Sequence, residues 1–167
     1  MRRDVLIKNY GLEEHPEGGY YKETFRSNTV VHPKYANSER RAAATSIYFL
    51  LTSDNFSQFH KIKTEEIWHF YEGDVINIVV LTLDKDEQFN LIKLGSDESK
   101  GQVRQAIVEK NTWFASFVDD SGSAGYGFVG CSVSPGFEFE DFEIAKQEDL
   151  LKHYPKAEKY INKLCRQ

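Results

Sequence analysis

Short apolar or alternating runs, separated by polar turns, repeat along most of this chain. The cadence lasts from about residue 20 to residue 143, and no long helical pattern interrupts it. Eight or more short strands at this spacing predict an antiparallel barrel or sandwich, because a parallel sheet would need helical crossovers. The runs are Tyr20–Arg26, Thr45–Leu51, Ser57–Ile62, Glu66–Tyr71, Val75–Leu83, Gln88–Leu94, Gln102–Val108, Trp113–Val118, Tyr126–Val133 and Phe137–Glu143.

Helical spacing is confined to the two ends of the chain. Residues 4–10 predict a short opening helix, with Gly11 as its stop. After Ile144 the apolar spacing predicts two helices, separated at Pro155 and packed on the outside of the barrel. At 167 residues we expect one domain over 1–167, with the barrel at about 20–143 and the C-terminal helices at about 144–166.

Charge and composition exclude several classes of protein. The formal net charge is −5 and no Lys/Arg block exceeds two residues, so duplex nucleic acid is not an expected partner. The apolar runs are far shorter than a membrane span, which predicts no membrane segment. The N-terminus lacks the hydrophobic region of a signal peptide, so a cytoplasmic location is expected. Cys131 and Cys165 form no Cys-x-x-Cys pair and predict neither a zinc site nor a disulfide.

The densest group of chemically capable residues lies between positions 58 and 74. Strict alternation along a strand would place Gln58 and His60 on one face, and on the next strand Glu66 and Trp68 on one face. A histidine and a carboxylate that meet in an aromatic pocket suit either general acid–base chemistry or metal ligation. On this basis His60 and Glu66 are the candidate catalytic residues.

The same residues resemble the signatures of the cupins. In that family a His-x-His pair is followed by a Glu and, seven positions after it, a Gly; Glu66 and Gly73 keep this spacing. Gln58 stands in place of the first histidine, and Phe114 in place of the histidine of the second signature. The resemblance therefore implies that two of the four usual metal ligands are missing. No resident metal or other cofactor is expected; a metal, if bound, would be held through His60 and Glu66.

A narrower resemblance covers nearly the whole chain. It is to the functionally uncharacterised cupin-5 branch, which is similar in fold to sugar-nucleotide epimerases. The resemblance implies an all-β, cupin-like double-stranded β-helix, or jelly-roll barrel, commonly paired as a homodimer. The motifs that carry it are His15–Tyr21, Phe59–His60, Glu66–Phe70, Thr112–Phe114, Val129–Cys131 and Pro135–Phe139.

Further residues are candidates for ligand binding or for an interface. Trp68 and Phe114 are expected to form an aromatic floor, with Gln58 beside His60. Arg40, with Arg41, is expected to reach the mouth, and Tyr20, with Tyr21 and Arg26, to line it. The outward face of the strand that carries Ile67, His69 and Tyr71 is expected to pack under the N-terminal segment or in the homodimer.

Two classes of function fit these residues. The first is a metal-independent sugar or sugar-nucleotide isomerase or epimerase, in which a His60/Glu66 couple moves a proton next to a carbonyl. The alternative is a non-catalytic binding module for a small polar ligand such as a sugar, nucleotide or base. Metal-dependent dioxygenase chemistry is disfavoured by Gln58 and Phe114. Because a nearby carboxylate favours imidazolium, His60 is expected to stay protonated to a higher pH than a free histidine, and the ligand to carry a carbonyl, carboxylate or phosphate.

Overall fold

The computed structural model describes residues 1–36, 39–84 and 86–166. It contains helices α1 (Arg2–Tyr10), α2 (Gln147–His153) and α3 (Glu158–Leu164). Short 3-10 turns lie at Lys34–Ala36, Glu98–Lys100, Phe139–Asp141 and Pro155–Ala157. The strands are β1 (Glu13–Glu14), β2 (Tyr20–Arg26), β3 (Val30–Val31), β4 (Arg41–Ala42), β5 (Thr45–Thr52), β6 (Phe56–Ile62), β7 (Glu66–Gly73), β8 (Ile76–Leu81), β9 (Phe89–Leu94), β10 (Gln105–Val108), β11 (Phe114–Val118), β12 (Tyr126–Val133) and β13 (Phe142–Ile144).

Two facing antiparallel sheets build the barrel. One has the order β1-β2-β5-β12-β7-β10, and the other β13-β6-β11-β8-β9. From β5 onward the chain crosses repeatedly between the sheets, so sequence neighbours such as β5, β6 and β7 lie in alternate layers. The fold class is confirmed as the jelly roll that the strand cadence and the resemblance predicted.

Apolar side chains are buried on both faces of the five-stranded sheet. The inner faces pack around Phe49, Trp68 and Phe114. The C-terminal helices cover the outer face of the five-stranded sheet and form a second apolar core there, which includes Leu150 and Ile161. The predicted outside position of these helices is confirmed.

Helix α1 covers only part of the other outer face. Its Leu6 packs with Leu50 and Phe128 in a third apolar cluster, and Gly11 ends the helix in the left-handed conformation, as predicted. Beyond the helix, Tyr71 is 50% exposed and Ile107 is 54% exposed. A homodimer through this uncovered area stays a prediction.

Two segments differ from the sequence-based expectation. The polar segment expected as a loop before Thr45 contains the short β3–β4 pair, while Asn37 and Ser38 lie outside the described residues. The strand expected over 137–143 is a loop and a 3-10 turn, and pairing starts only at Phe142. No helix in the described ranges combines the length and apolar character that a membrane crossing requires.

Candidate functional site

A cavity of about 310 Å³ opens between the two sheets. Four histidine and glutamate side chains of the lining are buried, whereas three other charged side chains are partly exposed and mark the mouth. The buried group is His15, Glu17, His60 and Glu66, and the mouth group is Glu23, Arg26 and Glu138. Aromatic rings form much of the remaining wall: Tyr21, Phe49, Trp68, Phe137, Phe139 and Phe142.

A tight turn between β1 and β2 brings Glu17 into the cavity. The turn is closed by backbone hydrogen bonds from His15 to Gly19 and from Gly18 to His15, both 2.9 Å long. Gly18 has φ +112°, and a Cβ there would collide with the carbonyl oxygen of Phe56. Only glycine lets the turn lie this close to β6 with such a backbone angle.

Glu17 makes the direct contact with His60. Its Oε2 lies 3.0 Å from His60 Nε2, and the opposite ring nitrogen, Nδ1, lies 2.8 Å from the carbonyl oxygen of Gln58. A carbonyl only accepts, so Nδ1 carries a proton and one further proton is shared between Nε2 and Oε2. The structure therefore pairs His60 with Glu17, where the sequence predicted Glu66.

Burial decides the charge state of this pair. Burial lowers the pKa of His60, and the Gln58 carbonyl and Glu66 oppose this only in part. Burial also raises the pKa of Glu17, opposed by His15, by the Ser57 hydroxyl, which donates to Oε1 over 2.8 Å, and by Arg166. Both directions favour a neutral pair. The expectation that His60 stays protonated to a higher pH is therefore wrong, because desolvation outweighs the carboxylates.

Glu66 is a second buried carboxyl group in the cavity, and its pKa is also raised. Burial raises its pKa to about 7, and the nearby Glu17 adds to the rise, while His60, Cys131 and Trp68 lower it. A carboxyl that titrates near neutrality can both take and give a proton at physiological pH. Glu66 thus has the property that general acid–base catalysis requires.

A β-bulge moves Gln58 away from the position that alternation predicted. The four residues of β6 from Ser57 to His60 lie opposite only three residues of β11, from Ser116 back to Phe114. The extra residue reverses the alternation, so Ser57 and not Gln58 shares the Glu17 contact with His60. The Gln58 side chain lies outside the cavity lining and accepts from the Arg166 amide at 3.4 Å.

Three other predicted ligand-binding residues also lie outside the lining. Tyr20 packs in the cluster under α1, on the opposite face of its strand. Arg40 is exposed, and its neighbour Arg41 is buried and held by both oxygens of Asp141 at 2.7 and 3.0 Å. Phe114 packs on the imidazole of His60, with ring centroids 4.1 Å apart, and supports the site from behind. Trp68 does line the cavity.

His15 and Glu17 line the cavity although neither was a candidate from the sequence. Both belong to the His15–Tyr21 motif, which entered only through the family resemblance. Glu17 also holds His15, since the Glu17 amide donates to His15 Nδ1 at 3.2 Å. The signal that could have found them is a histidine and a glutamate beside two glycines, an arrangement that forces the backbone close to a neighbour.

The donor set does not fit the metal site common among cupins. Both ring nitrogens of His60 are in hydrogen bonds, and a phenyl ring occupies the position of the second-signature histidine. Within the described residues no group of three or more His, Cys, Asp or Glu side chains is arranged to hold a metal ion. Metal independence of the site stays a prediction.

Arg166, near the C-terminus, fixes the turn that carries Glu17. Its Nη1 donates to the Glu17 carbonyl oxygen at 2.7 Å, and its Nη2 donates to Asn55 Oδ1 at 2.8 Å and to the Phe56 carbonyl oxygen at 3.0 Å. Its positive charge also lowers the pKa of Glu17. The segment that follows α3 is thus coupled to the buried carboxyl group.

Arg166→Gln is expected to raise the pKa of Glu17 further and to reduce the free energy of unfolding by about 1 kcal/mol, because carbonyls lose their donor. Urea denaturation measures the second effect, and the ring signals of His60 in an NMR pH titration report the first. Arg104→Gln is the control, since Arg104 pairs with Glu98 on the exposed surface. Identical His60 titrations in the two variants would contradict the coupling.

Comparison with known proteins gives a consistent family relationship. The Cupin_5 family, described as cupin superfamily (DUF985), matches residues 4–145. The uncharacterized protein YML079W of Saccharomyces cerevisiae is 36% identical over 164 residues, covering 92% of this chain and 80% of the yeast protein.

Two solved structures are similar over almost their full lengths. A hypothetical protein from Leishmania major has a TM-score of 0.89 and 34% identity, covering 98% of each chain. Protein SO0799 from Shewanella oneidensis has a TM-score of 0.85 and 37% identity, covering 98% of this chain and 96% of its own.

Proposed function

Because the chain belongs to the Cupin_5 family of the cupin superfamily, whose fold binds small molecules, we propose that its cavity is a metal-independent catalytic site. The reaction is proton transfer next to a carbonyl, in an isomerase or epimerase acting on a sugar or sugar nucleotide. The observation that carries the proposal is the buried cluster of Glu66, Glu17 and His60 inside an aromatic cavity.

Glu66 is the residue that exchanges protons with the substrate in this proposal. Its carboxylate takes the proton from the carbon beside the carbonyl, and the C–H electron pair moves to form an enolate. In an isomerase Glu66 returns the proton to the former carbonyl carbon, and the proton of the adjacent hydroxyl moves to the former carbonyl oxygen. In an epimerase the enolate turns its opposite face to Glu66 before the same carbon is protonated. Both directions are accessible near neutral pH because the pKa of Glu66 is raised to about 7.

The His60–Glu17 pair supports Glu66 rather than replacing it. Both nitrogens of His60 are committed, to Gln58 and to Glu17, so His60 presents no free lone pair to a ligand. The pair holds a mobile proton beside Glu66, and any negative charge on Glu17 keeps the pKa of Glu66 high. His60 and Glu17 are therefore positioning residues in this proposal.

The test is proton exchange in D₂O. Chelator-treated protein is incubated with a panel of sugars, sugar phosphates and sugar nucleotides, and NMR follows loss of the proton beside the carbonyl. We expect exchange with at least one class, and His60→Gln should slow it by about 10²-fold. His69→Gln is the matched control, since His69 lies on the outer sheet face against Gln105 and Ser132. Equal rates in the two variants would contradict a role for His60.

The alternative remains a non-catalytic binding module for a small polar ligand, supported by the same enclosed cavity. Mass spectrometry of small molecules that co-purify with the protein would identify such a ligand. A bound compound with no exchange in any class favours this alternative. We also propose a homodimer, which the family resemblance implies, and a cytoplasmic location.

A further inference from the structure

An indole N–H in the cavity wall has no hydrogen-bond partner. Trp68 is 1% exposed and lines the cavity, and its Nε1 is buried without an acceptor. Leaving a buried donor unpaired costs free energy, and most such groups in native proteins find a partner. The two other described side-chain atoms in this condition belong to Tyr35 and Ser116, which do not line the cavity.

The indole ring is held in place by its neighbours. Phe49 and Phe114 contact it edge to face, at ring-centroid distances of 5.7 and 6.4 Å. The N–H lies close enough to the Glu66 carboxyl to lower its pKa, yet the geometry falls short of a hydrogen bond. A fixed donor beside a carboxyl group can receive an acceptor atom from a ligand once the surrounding side chains move enough to admit it.

The charges around this position restrict the ligand. Two carboxyl groups, Glu17 and Glu66, are buried in the cavity, and both would repel a carboxylate or phosphate when ionised. Within the described residues, Arg26 is the one Lys or Arg side chain in the lining. It is already bound to Glu23, to Glu138 and to the Phe137 carbonyl oxygen. An anionic group therefore has no free cation inside the cavity.

We propose that the Trp68 N–H, beside the Glu66 carboxyl, binds the carbonyl oxygen of an uncharged ligand or of the uncharged part of a larger one. This inference rests on the proposed function of the same cavity and specifies the substrate class and its orientation. The carbonyl oxygen lies at Trp68, and the carbon that loses a proton faces Glu66. As the enolate forms, the indole N–H donates to the developing negative oxygen, and that stabilisation accelerates the step.

The probe is cyclohexanone, an uncharged ketone with exchangeable protons beside its carbonyl. Methylenecyclohexane has nearly the same shape without the oxygen and serves as the matched ligand. The chain has two tryptophans, so ¹H–¹⁵N spectra contain two indole signals. We expect cyclohexanone to move the Trp68 indole proton downfield, while methylenecyclohexane does not. Trp113, whose ring lies under Lys61 outside the cavity, gives the internal control.

Trp68→Phe removes the donor and keeps an aromatic ring. It should weaken cyclohexanone binding about tenfold and leave methylenecyclohexane binding unchanged. If this variant does not fold, the indole shift in the parent protein still decides the question. No downfield shift up to the solubility limit of the ketone, or an equal shift with both ligands, overturns the subsite.

The same samples separate this inference from the proposed function. An indole shift with cyclohexanone, without exchange in D₂O of the ketone or of any compound of the sugar panel, supports the subsite and contradicts catalysis. Exchange that is unchanged in Trp68→Phe, with no indole shift, supports catalysis and overturns the subsite. Exchange together with the shift supports both, and the absence of exchange and shift contradicts both.

Discussion

Glu66→Gln is expected to abolish turnover and to make the folded protein more stable at pH 8 than its parent. Burial raises the pKa of Glu66 from 4.5 to about 7. The folded state therefore binds the Glu66 proton more tightly than the unfolded state does. This group contributes stability that is fully present below pH 4.5 and is lost as the pH rises through 7.

The size of this stability change follows from the difference between the pKa of Glu66 in the unfolded and in the folded state. A shift of one pKa unit corresponds to about 1.4 kcal/mol, so the contribution of Glu66 changes by about 3 kcal/mol between pH 4.5 and pH 8. Glutamine does not titrate, and the variant lacks this loss. His60 and His15, whose pKa values burial lowers, act in the opposite direction below pH 6.5. Both histidines are present in the variant and in the parent, so most of their effect cancels when the two free energies of unfolding are subtracted.

Urea denaturation at several pH values measures the stability difference, which should grow in favour of Glu66→Gln as the pH rises. The rate of proton exchange should fall by about 10²- to 10⁴-fold. Glu65→Gln is the control: this adjacent carboxylate pairs with Lys110 outside the cavity, and its pKa is lowered, not raised. A stability difference that does not change with pH would mean that Glu66 is not the neutral-pH carboxyl group. Unchanged ligand binding with lost exchange would favour the enzyme over the binding module.

Gly18→Ala is expected to cost about 3 kcal/mol of stability and to disable the site. The φ of Gly18 is +112°, a region that other residues rarely adopt, and a Cβ would collide with the Phe56 carbonyl and the Arg166 guanidinium. The turn then has to move away from β6. Glu17 moves with it and loses its contact with His60, which is 3.0 Å in the parent.

Gly101→Ala provides the matched control. Gly101 also has a positive φ, +71°, but nothing lies within 4 Å of the position its Cβ would take. The Gly101→Ala substitution should therefore lower the free energy of unfolding by only about 1 kcal/mol, and proton exchange should remain. Thermal unfolding and the exchange assay compare the two variants. Equal losses in both would show that the backbone angle alone matters, and that the fit of the turn against β6 contributes nothing.

The class of fold and the neighbourhood of the site follow from local features of the amino-acid sequence. Strand periodicity and turn residues are such features, and they placed most strands, the opening helix and the C-terminal helices correctly. Strand alternation predicted the correct sheet faces for His60, Glu66 and Trp68.

Which side chains meet in the cavity depends on contacts between distant segments of the folded chain. Because of the bulge in β6, Ser57 and not Gln58 shares the Glu17 contact with His60. The one extra residue reverses the alternation of side chains at the positions of β6 that precede it. Glu17 reaches His60 from a turn 43 positions earlier in the chain. The two glycines after Glu17 indicate a close approach of the backbone, but no local pattern indicates which strand the turn approaches. The charge states follow from burial, which lowers the pKa of His60 and raises that of Glu66. How deeply a group is buried depends on segments from the whole chain that pack around it.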